Sequence, residues 1–583
     1  MEHERPAEPY IERVDDLPLL FGILQQMGIQ SIIDSVISPH GNWQGLTPGW
    51  VITIWLMHLL SEQNHCMEPV QEWVSKHGVS LGRLTGQQVR ALDFSDDRLA
   101  RCLAELHQAT VWSAIERELG PRLLRVYDLT PTRLRLDATV GSVGHNSAEH
   151  TLFKVGKAKN GLYETQFKLM LASLDPLGLP LVVDIVAGNV ADDPLYVPSY
   201  QRAKAVLQRE GLVVIGDSKM SALGTRGEIV KGHDYYLTPL AWLKDEPELL
   251  AQLLKTWREK KEEATDIFLP EDMPADGSDP DPAQAIAYGF EVNRCQTSII
   301  QGQSLAWSER LLVIRSHSYT QTMQQSLQQR LDKAEAALTG LTPVRSRGKQ
   351  QIKDEPTLLA AIEQIQQQYH VQGLFDCQYE CQVKERTIRA YKGKPARQER
   401  QVRYQLTVAR NQAAIAEAEF QAGWRIYVTN APTEELPLTE AVLAYRDQYI
   451  EENIFRRLQG KFLSITPVYV QRDDHAQGLF HLLTLGARLL ALGDYQARQA
   501  LTQEGPQAEL TGVYRGNATR GTARPTTERM LMAFEHINLL LVPAVLSGQK
   551  QAVCFVTPLS PVQERILALL GLPTSLYTSL QVS

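Results

Sequence analysis

Between about residue 10 and residue 125, apolar side chains recur three and four positions apart, in LPLLFGILQQMG, LTPGWVITIWLMHLLSE and SDDRLARCLAELHQATVWSAIEREL. That spacing gathers them on one helical face and predicts a compact helical domain over residues 1–129. Ser95, Asp96 and Asp97 form a helix start, because short polar side chains cap free amides and acids favour that end. From about residue 130 the period drops to two. RLRLDATV alternates polar and apolar positions, FKLMLASLD and LVVDIVAG flank a short LGLP turn, and LVVIGD reads as a further strand. Helical YVPSYQRAKAVLQRE and SALGTRGEIVKG separate these from DYYLTPL. The order strand, strand, strand, helix, strand, helix, strand predicts an α/β layered domain with early antiparallel pairing. Continuous apolar runs such as LVVI place its central strands between two covering layers.

The regular alternation stops near residue 241. LPEDMPADGSDPDPAQA is too acidic and Pro-rich to build a core and reads as a linker. Helical Gln-rich stretches come next, then a strand-rich portion with alternation in QVRYQLTVAR. We read 241–423 as an insertion that splits the α/β domain into 130–240 and 424–500, since GWRIYVTN and a further helix resume it. Residues 501–583, with ERMLMAFEHINLLLVPAVL, are expected to be helical and to serve dimerisation.

At 583 residues the chain exceeds one ordinary core, and roughly three to five domains are expected. A composition 43% hydrophobic and 22% charged is that of a globular protein rather than a disordered one. The net charge of −8 means that any nucleic-acid surface must be local. Six cysteines without regular spacing form no disulfide framework, and Cys377, Cys381 and His370 are too few for a zinc site. The acidic N-terminus is no secretory signal, and the apolar runs VITIWLMHLL and LLTLGARLLALG are too short to span a bilayer. The expected compartment is the cytoplasm. Without a GxxxxGK[ST] loop, no use of ATP is expected.

Against that background three acids stand out. Asp137 ends RLRLD, Asp217 ends LVVIGD, and YRDQYIEENIFRRLQGK carries a helical acid at Glu451 or Glu452. Carboxyl ends of strands in an open α/β sheet are where ligands bind. Clustered carboxylates repel one another unless a cation joins them, and oxygen ligands suit hard divalent ions such as Mg2+. Two such ions about 3.5–4 Å apart activate water and stabilise the leaving oxygen in phosphodiester cleavage. Helical periodicity alone does not choose between Glu451 and Glu452.

These residues carry a resemblance. The chain resembles bacterial insertion-sequence DDE transposases, which have an RNase H-like catalytic domain, and is most similar to the group with a Tyr-x2-Arg-x3-Glu-x6-Lys signature. LRLDATV and VIGDSKMSA match the first two acids, GNVAD at 188–192 matches a Gly-Asn-x-x-Asp element, and YYLTPL comes after them. Tyr445 takes the Tyr position, which selects Glu452 as third acid. Gln448 stands at the Arg position and Gln459 at the Lys position, with Lys461 two residues further on. In the family that basic pair holds DNA phosphates, and Arg456, Arg457 and Lys461 are the cations available to replace it here. Trp424 lies where relatives carry an aromatic residue that stacks on a flipped base. The resemblance implies a transposase using two Mg2+ ions (or Mn2+) held by Asp137, Asp217 and Glu452. Its partners are the double-stranded DNA of the element ends and target, and a homodimer pairs the ends. A transposase-derived repressor and an RNase H-like nuclease without strand transfer are the alternatives.

The segment 384–410 is densely basic, with Lys384, Arg386, Arg389, Lys392, Lys394, Arg397, Arg400 and Arg403 against Glu385 and Glu399. Such local density suits phosphate contact, or else a solvated hairpin. VRSRGKQQIK at 344–353 is a weaker candidate of the same kind, and His145 and His150 read as a polar loop.

Overall fold

The computed structural model describes residues 9–581 apart from 40, 159, 242–245, 261–262, 275–277, 344–351, 389–396 and 547–548. A ten-stranded mixed sheet organises it. Its first six strands are β1 (Arg133–Ser142), β2 (Lys154–Lys157), β3 (Tyr163–Leu174), β4 (Leu179–Ala187), β5 (Val213–Gly216) and β6 (Tyr235–Pro239). β3 lies antiparallel to β1 and carries β2 and β4 on its other edge. On the opposite side β1 runs parallel to β5, and β5 parallel to β6. Helices α1 (Tyr196–Leu207) and α2 (Leu223–Lys231) make the parallel crossovers. This is the α/β order that the alternation predicts, with three antiparallel strands followed by two parallel ones, as in RNase H-like domains.

The segment expected as a single insertion divides in two. Helix α3 (Glu246–Lys260) is followed by β7 (Thr265–Ile267), β8 (Ala287–Ile300) and β9 (Gln303–Ser316), all of which join the central sheet. Buried Glu309 fastens β9 by accepting from Arg226 of α2, Arg294 Nε (2.6 Å) and the Tyr236 hydroxyl (2.6 Å). Only the later part has a core of its own: α4 (His317–Gly340), α5 (Glu355–Gln368) and the hairpin β10 (Phe375–Ile388) and β11 (Arg397–Arg410). Then β12 (Trp424–Thr429) returns between β6 and β9.

Two helices come next, α6 (Leu438–Arg446) and α7 (Tyr449–Gln459), and then α8 (Asp473–Glu504), 32 residues long. α8 is apolar enough to cross a membrane, but 94% of its most apolar stretch lies inside the protein. It packs on the helices Pro48–Glu62 and Asp96–His107 and on β4, and so joins the helical N-terminal region to the sheet. Arg488 of α8, 1% exposed at its side chain, donates to the carbonyls of Pro180 (2.7 Å) and Leu181 (2.9 Å) on β4. Glu116, from helix Ala109–Val126, lies 3.4 Å from Arg488 and accepts from the amide of Val183 (3.0 Å). Arg202 of α1 pairs with both Glu116 and Asp184. Burial pushes the Glu116 carboxyl upward against the opposing pull of Arg202 and Arg488.

Residues 501–583 are not helical throughout. Asn538–Leu546 and Gln549–Val556 are strands of a separate three-stranded sheet, in which Asn538–Leu546 lies between Tyr10–Arg13 and Gln549–Val556. An apolar run such as NLLLVPAVL fits a buried strand as well as a helix, and its partner strands decide the outcome.

Trp424 is no open platform for a base. It is 2% exposed, its indole N–H donates to the carbonyl of Phe420 (3.0 Å), and Trp257, Tyr288 and Phe290 surround it edge-on at 5.4–5.9 Å. Starting β12, it fills the core between the sheet and α3.

These buried groups set two stability outcomes. Arg488→Met removes one of the two cations beside Glu116 and leaves the Pro180 and Leu181 carbonyls without their donor, and is expected to cost about 3–5 kcal/mol. Denaturant unfolding of the Glu116→Gln/Arg488→Met double variant should show a loss smaller than the two single losses added. Trp424→Ala should cost about 3–5 kcal/mol in the same measurement, whereas a base-stacking platform would unfold like the wild type.

Candidate active site

Because β1 and β5 are parallel with Leu136 opposite Gly216, the next residues are Asp137 of β1 and Asp217, just past the end of β5. They stand side by side, about one strand spacing (~5 Å) apart at Cα. Both are half-buried. Asp217 caps the short turn Ser218–Ser221, and its Oδ1 accepts from the Lys219 amide (2.9 Å) and the Tyr196 hydroxyl (2.6 Å). Its carbonyl accepts from the Thr238 hydroxyl (2.7 Å) of β6. Thus α1 and β6 both hold it, and Oδ2 receives no hydrogen bond from the described residues. Asp137 Oδ1 accepts from the Ala138 amide (2.8 Å).

A strand alternates faces, so Asp137 shares the face of Arg135, two residues earlier. Arg135 is fully buried, pairs with Asp175 (2.9 Å) and donates to the Ala444 carbonyl of α6 (2.6 Å). Asp137 therefore sits on the side of the sheet covered by α6. Beyond it, α7 packs on β1.

A third carboxylate, Asp192, stands beside the pair. Gly188 brings its loop in, since a Cβ there would lie 2.0 Å from the Gln166 carbonyl. Asp192 is paired with both Lys168 of β3 and Lys219. Burial alone would lower the Lys219 ammonium, but Asp192, Asp217 and Asp137 together raise it. Burial would likewise raise the Asp192 carboxyl, and the two lysines outweigh that and lower it. The Tyr196 hydroxyl is pushed well up, first by burial and then by Asp217, Asp137 and Asp192. Tyr196, Lys168 and Lys219 do not stand out in the sequence. Only GNVAD points here, because no spacing rule links strand, loop and turn residues.

The helix pair α6–α7 supplies the rest. Tyr445 stacks edge-on with Tyr427 (4.8 Å), and its hydroxyl accepts from Gln448 (3.1 Å). Burial raises that hydroxyl first, with Tyr427 and Asp217 adding to it, so Tyr445 lies within the field of the second acid. α7 buries Ile450, Ile454, Phe455 and Leu458, leaving Glu452 exposed. Ile450 and Ile454 rest on Gly178, where a Cβ would meet them at 3.0–3.1 Å and φ is +64°. Only glycine allows this approach. The side chain of Glu451 lies outside the described residues. Among the described residues, no three His, Cys, Asp or Glu side chains are close enough together to hold one metal ion. Asp137 and Asp217 are adjacent, and Glu452 stands on the next layer. As a donor set, two side-by-side carboxylates without thiols or imidazoles suit a hard divalent cation.

The other expected DNA contacts are distributed unevenly. Arg456 and Lys461 are exposed. Arg457 is instead committed internally, to Asp494 (2.8 Å) and Glu528 (2.6 Å), and the three groups clamp α7 to α8 and the C-terminal region. On the basic hairpin, Lys384, Arg386 and Arg400 are exposed and Arg403 is half-buried. The register sets Arg386 opposite Glu399 and Arg400 opposite Glu385, so acids offset part of the charge. The backbone of Arg397 lies in β11, while Arg389, Lys392 and Lys394 lie outside the described residues, as does most of 344–353. His150 and Thr151 bind Asp473 at the start of α8, and burial of Asp473 is outweighed by bonds from Thr151, His150 and Leu152 that bring its carboxyl down to about 2.

Residues 10–117 match a family described as a domain of unknown function (DUF4277). No curated protein matches this chain. Among solved structures, it is similar to the cryo-EM structure of the piggyBac transposase synaptic complex with hairpin DNA, at 10% identity and a TM-score of 0.34, over 86% of this chain and 80% of that one. Residues 130–490 match the family described as Transposase DDE domain, a span that contains Asp137, Asp217 and Glu452. This chain belongs to that DDE transposase family.

Proposed function

We propose that the protein binds the terminal inverted repeats of its own insertion sequence, in the cytoplasm, and cuts and joins DNA at the site of Asp137 and Asp217. The observation that carries this reading is the parallel register that sets the two acids side by side in a chain of this family. Asp137, Asp217 and Glu452 are the residues that would hold divalent ions, Mg2+ or Mn2+. Bound there, such ions supply an activated water and a stabilised leaving oxygen. Tyr196 and the Lys219 amide orient Asp217, and the Lys219 ammonium offsets the repulsion among three carboxylates. Two in-line displacements make up the reaction: hydrolysis that frees a 3′-hydroxyl, then attack of that hydroxyl on target DNA. No ATP enters either step. Two protomers hold the two ends together, and exposed cations on the hairpin β10–β11 contact DNA phosphates.

A second reading is a DNA-binding repressor descended from a transposase. It is favoured by Gln448, a neutral side chain bonded to Tyr445 where relatives carry arginine, and by the position of Glu452 outside the Asp137–Asp217 cluster.

Labelled duplexes carrying the inverted repeat that flanks the gene, incubated with Mg2+, separate the two readings. Nicking by the wild type is expected. Asp137→Asn, Asp217→Asn and Glu452→Gln should each abolish it while end binding persists, and Glu451→Gln should stay active. Full cutting by one of the first three variants removes that residue from the site, and an inert wild type that still binds ends supports the repressor.

A further inference from the structure

Past the first acid, β1 outruns its parallel neighbour. β5 pairs with Arg133–Leu136, whereas Asp137–Ser142 continue against β3 beyond the end of β5. The start of β3 and its partner β2 lengthen this arm as far as the turn at 158–162. Tyr163 begins β3 eight residues before Leu171, the partner of Asp137. It therefore stands on the same face as that acid and, at about 3.3 Å per residue, roughly 26 Å further along the sheet. α8 covers this face as far as Phe167, which stacks on Phe480 at 4.1 Å. Beyond Phe167 the arm is bare: Tyr163 is 75% exposed, Leu162 62% and Val155 49%. Its tip is nonetheless ordered by hydrogen bonds. The Asn160 side chain accepts from the Leu162 amide (2.9 Å) and donates to Glu164 (2.9 Å), which also accepts from the Ser142 hydroxyl (2.5 Å). A Cβ at Gly161, where φ is +84°, would meet nothing within 4 Å, so the turn points away from its surroundings. The run KVGKAKNGLY, 154–163, carries three lysines and no acid, and exposed Lys157 stands directly opposite Tyr163.

We propose that this arm is a wedge that unstacks duplex DNA at a distance from the cleavage site, with Leu162 entering between two base pairs and Tyr163 covering the base face so exposed. The inference rests on the proposed DNA chemistry and adds to it a point of DNA distortion. A two-stranded ribbon fits a DNA groove, and apolar side chains pressed into a base step unstack it and kink the helix. An aromatic ring then accepts any base, since every base has a face to stack on. Bare aliphatic and aromatic surface suits a protein partner too, but three lysines without an acid suit a polyanion, and this end and face of the sheet are those of Asp137. At about 3.4 Å per base pair, an arm of this reach acts about eight base pairs from the cut bond. The unstacked step lies either within the element end or in the DNA on the far side of the cut.

The test uses full-length protein and repeat-bearing duplexes with 2-aminopurine, whose emission rises when it is unstacked, placed in turn at each position from about five to ten base pairs on either side of the nick. Wild type should brighten one such position, and its side of the nick identifies which DNA is opened. Leu162→Ala/Tyr163→Ala should lose that signal and bind the duplex about tenfold more weakly, the size of one lost base stack. Tyr163→Phe, which keeps the ring, should match wild type in both. A wild type that binds and nicks without brightening any position overturns the wedge and leaves the transposase reading intact. So does a double variant that keeps the signal and the affinity, or one whose only defect is in self-association, which would make the arm a contact between protomers. A folded wild type that binds no repeat-bearing duplex overturns the transposase reading, and the wedge with it.

Discussion

An open strand edge has to be closed, and here a buried knot of charge closes it. β4 is the outermost long strand on its side, and a bulge opposite Ala172 and Ser173 leaves Leu181 outside the ladder. Its unpaired carbonyls meet the guanidinium of Arg488, and the Val183 amide meets Glu116. Arg202 and Asp184 complete a set with two charges of each sign. Unsatisfied backbone groups at that depth would be costly, so the helical region, α1, α8 and the sheet have one mutual arrangement. Trp112 and His481 stack at 4.1 Å alongside, and burial keeps His481 neutral by drawing its imidazole down to about 3.

From that fixed edge the positions pass inward by register. β4 sets β3, β3 sets β1, and β1 sets β5, so Asp137 and Asp217 are located by backbone pairing before any side-chain contact is made. Side chains then orient what the backbone has placed. Tyr196 and Thr238 hold Asp217 from opposite neighbours, and Lys219 moderates the field of three acids. The third acid depends on a different interface, the packing of α7 on Gly178.

This division explains what could be read in the chain. Strand alternation reveals the five-strand order and both aspartates, because period and turn chemistry are local. Glu452 is chosen over Glu451 by resemblance, since adjacent helical residues differ by too small a rotation to settle by pattern. The strands β8 and β9 are taken into the insertion because an acidic, Pro-rich segment precedes them, although the buried apolar run Leu311–Ile314 of β9 belongs to the cores on the two faces of the central sheet. NLLLVPAVL looks helical because a continuous apolar run has no strand period, and of its two partner strands one is the neighbouring Gln549–Val556 while the other, Tyr10–Arg13, lies more than 500 residues away. Arg457 and Trp424 suggest DNA contacts by their neighbourhood in sequence, while their actual partners, Asp494, Glu528 and an aromatic cage, come from distant segments. Both acids of the basic run are visible in the sequence, but only the hairpin register sets Glu399 and Glu385 opposite arginines.

The pairing of Tyr10–Arg13 with Asn538–Leu546 has a temporal side. At ribosomal speeds of about 5–20 residues per second, roughly half a minute to two minutes separate synthesis of the first strand from that of its mate. For that interval the leading segment emerges with its hydrogen-bonding edge bare, so the sheet can close only as a late event in biogenesis.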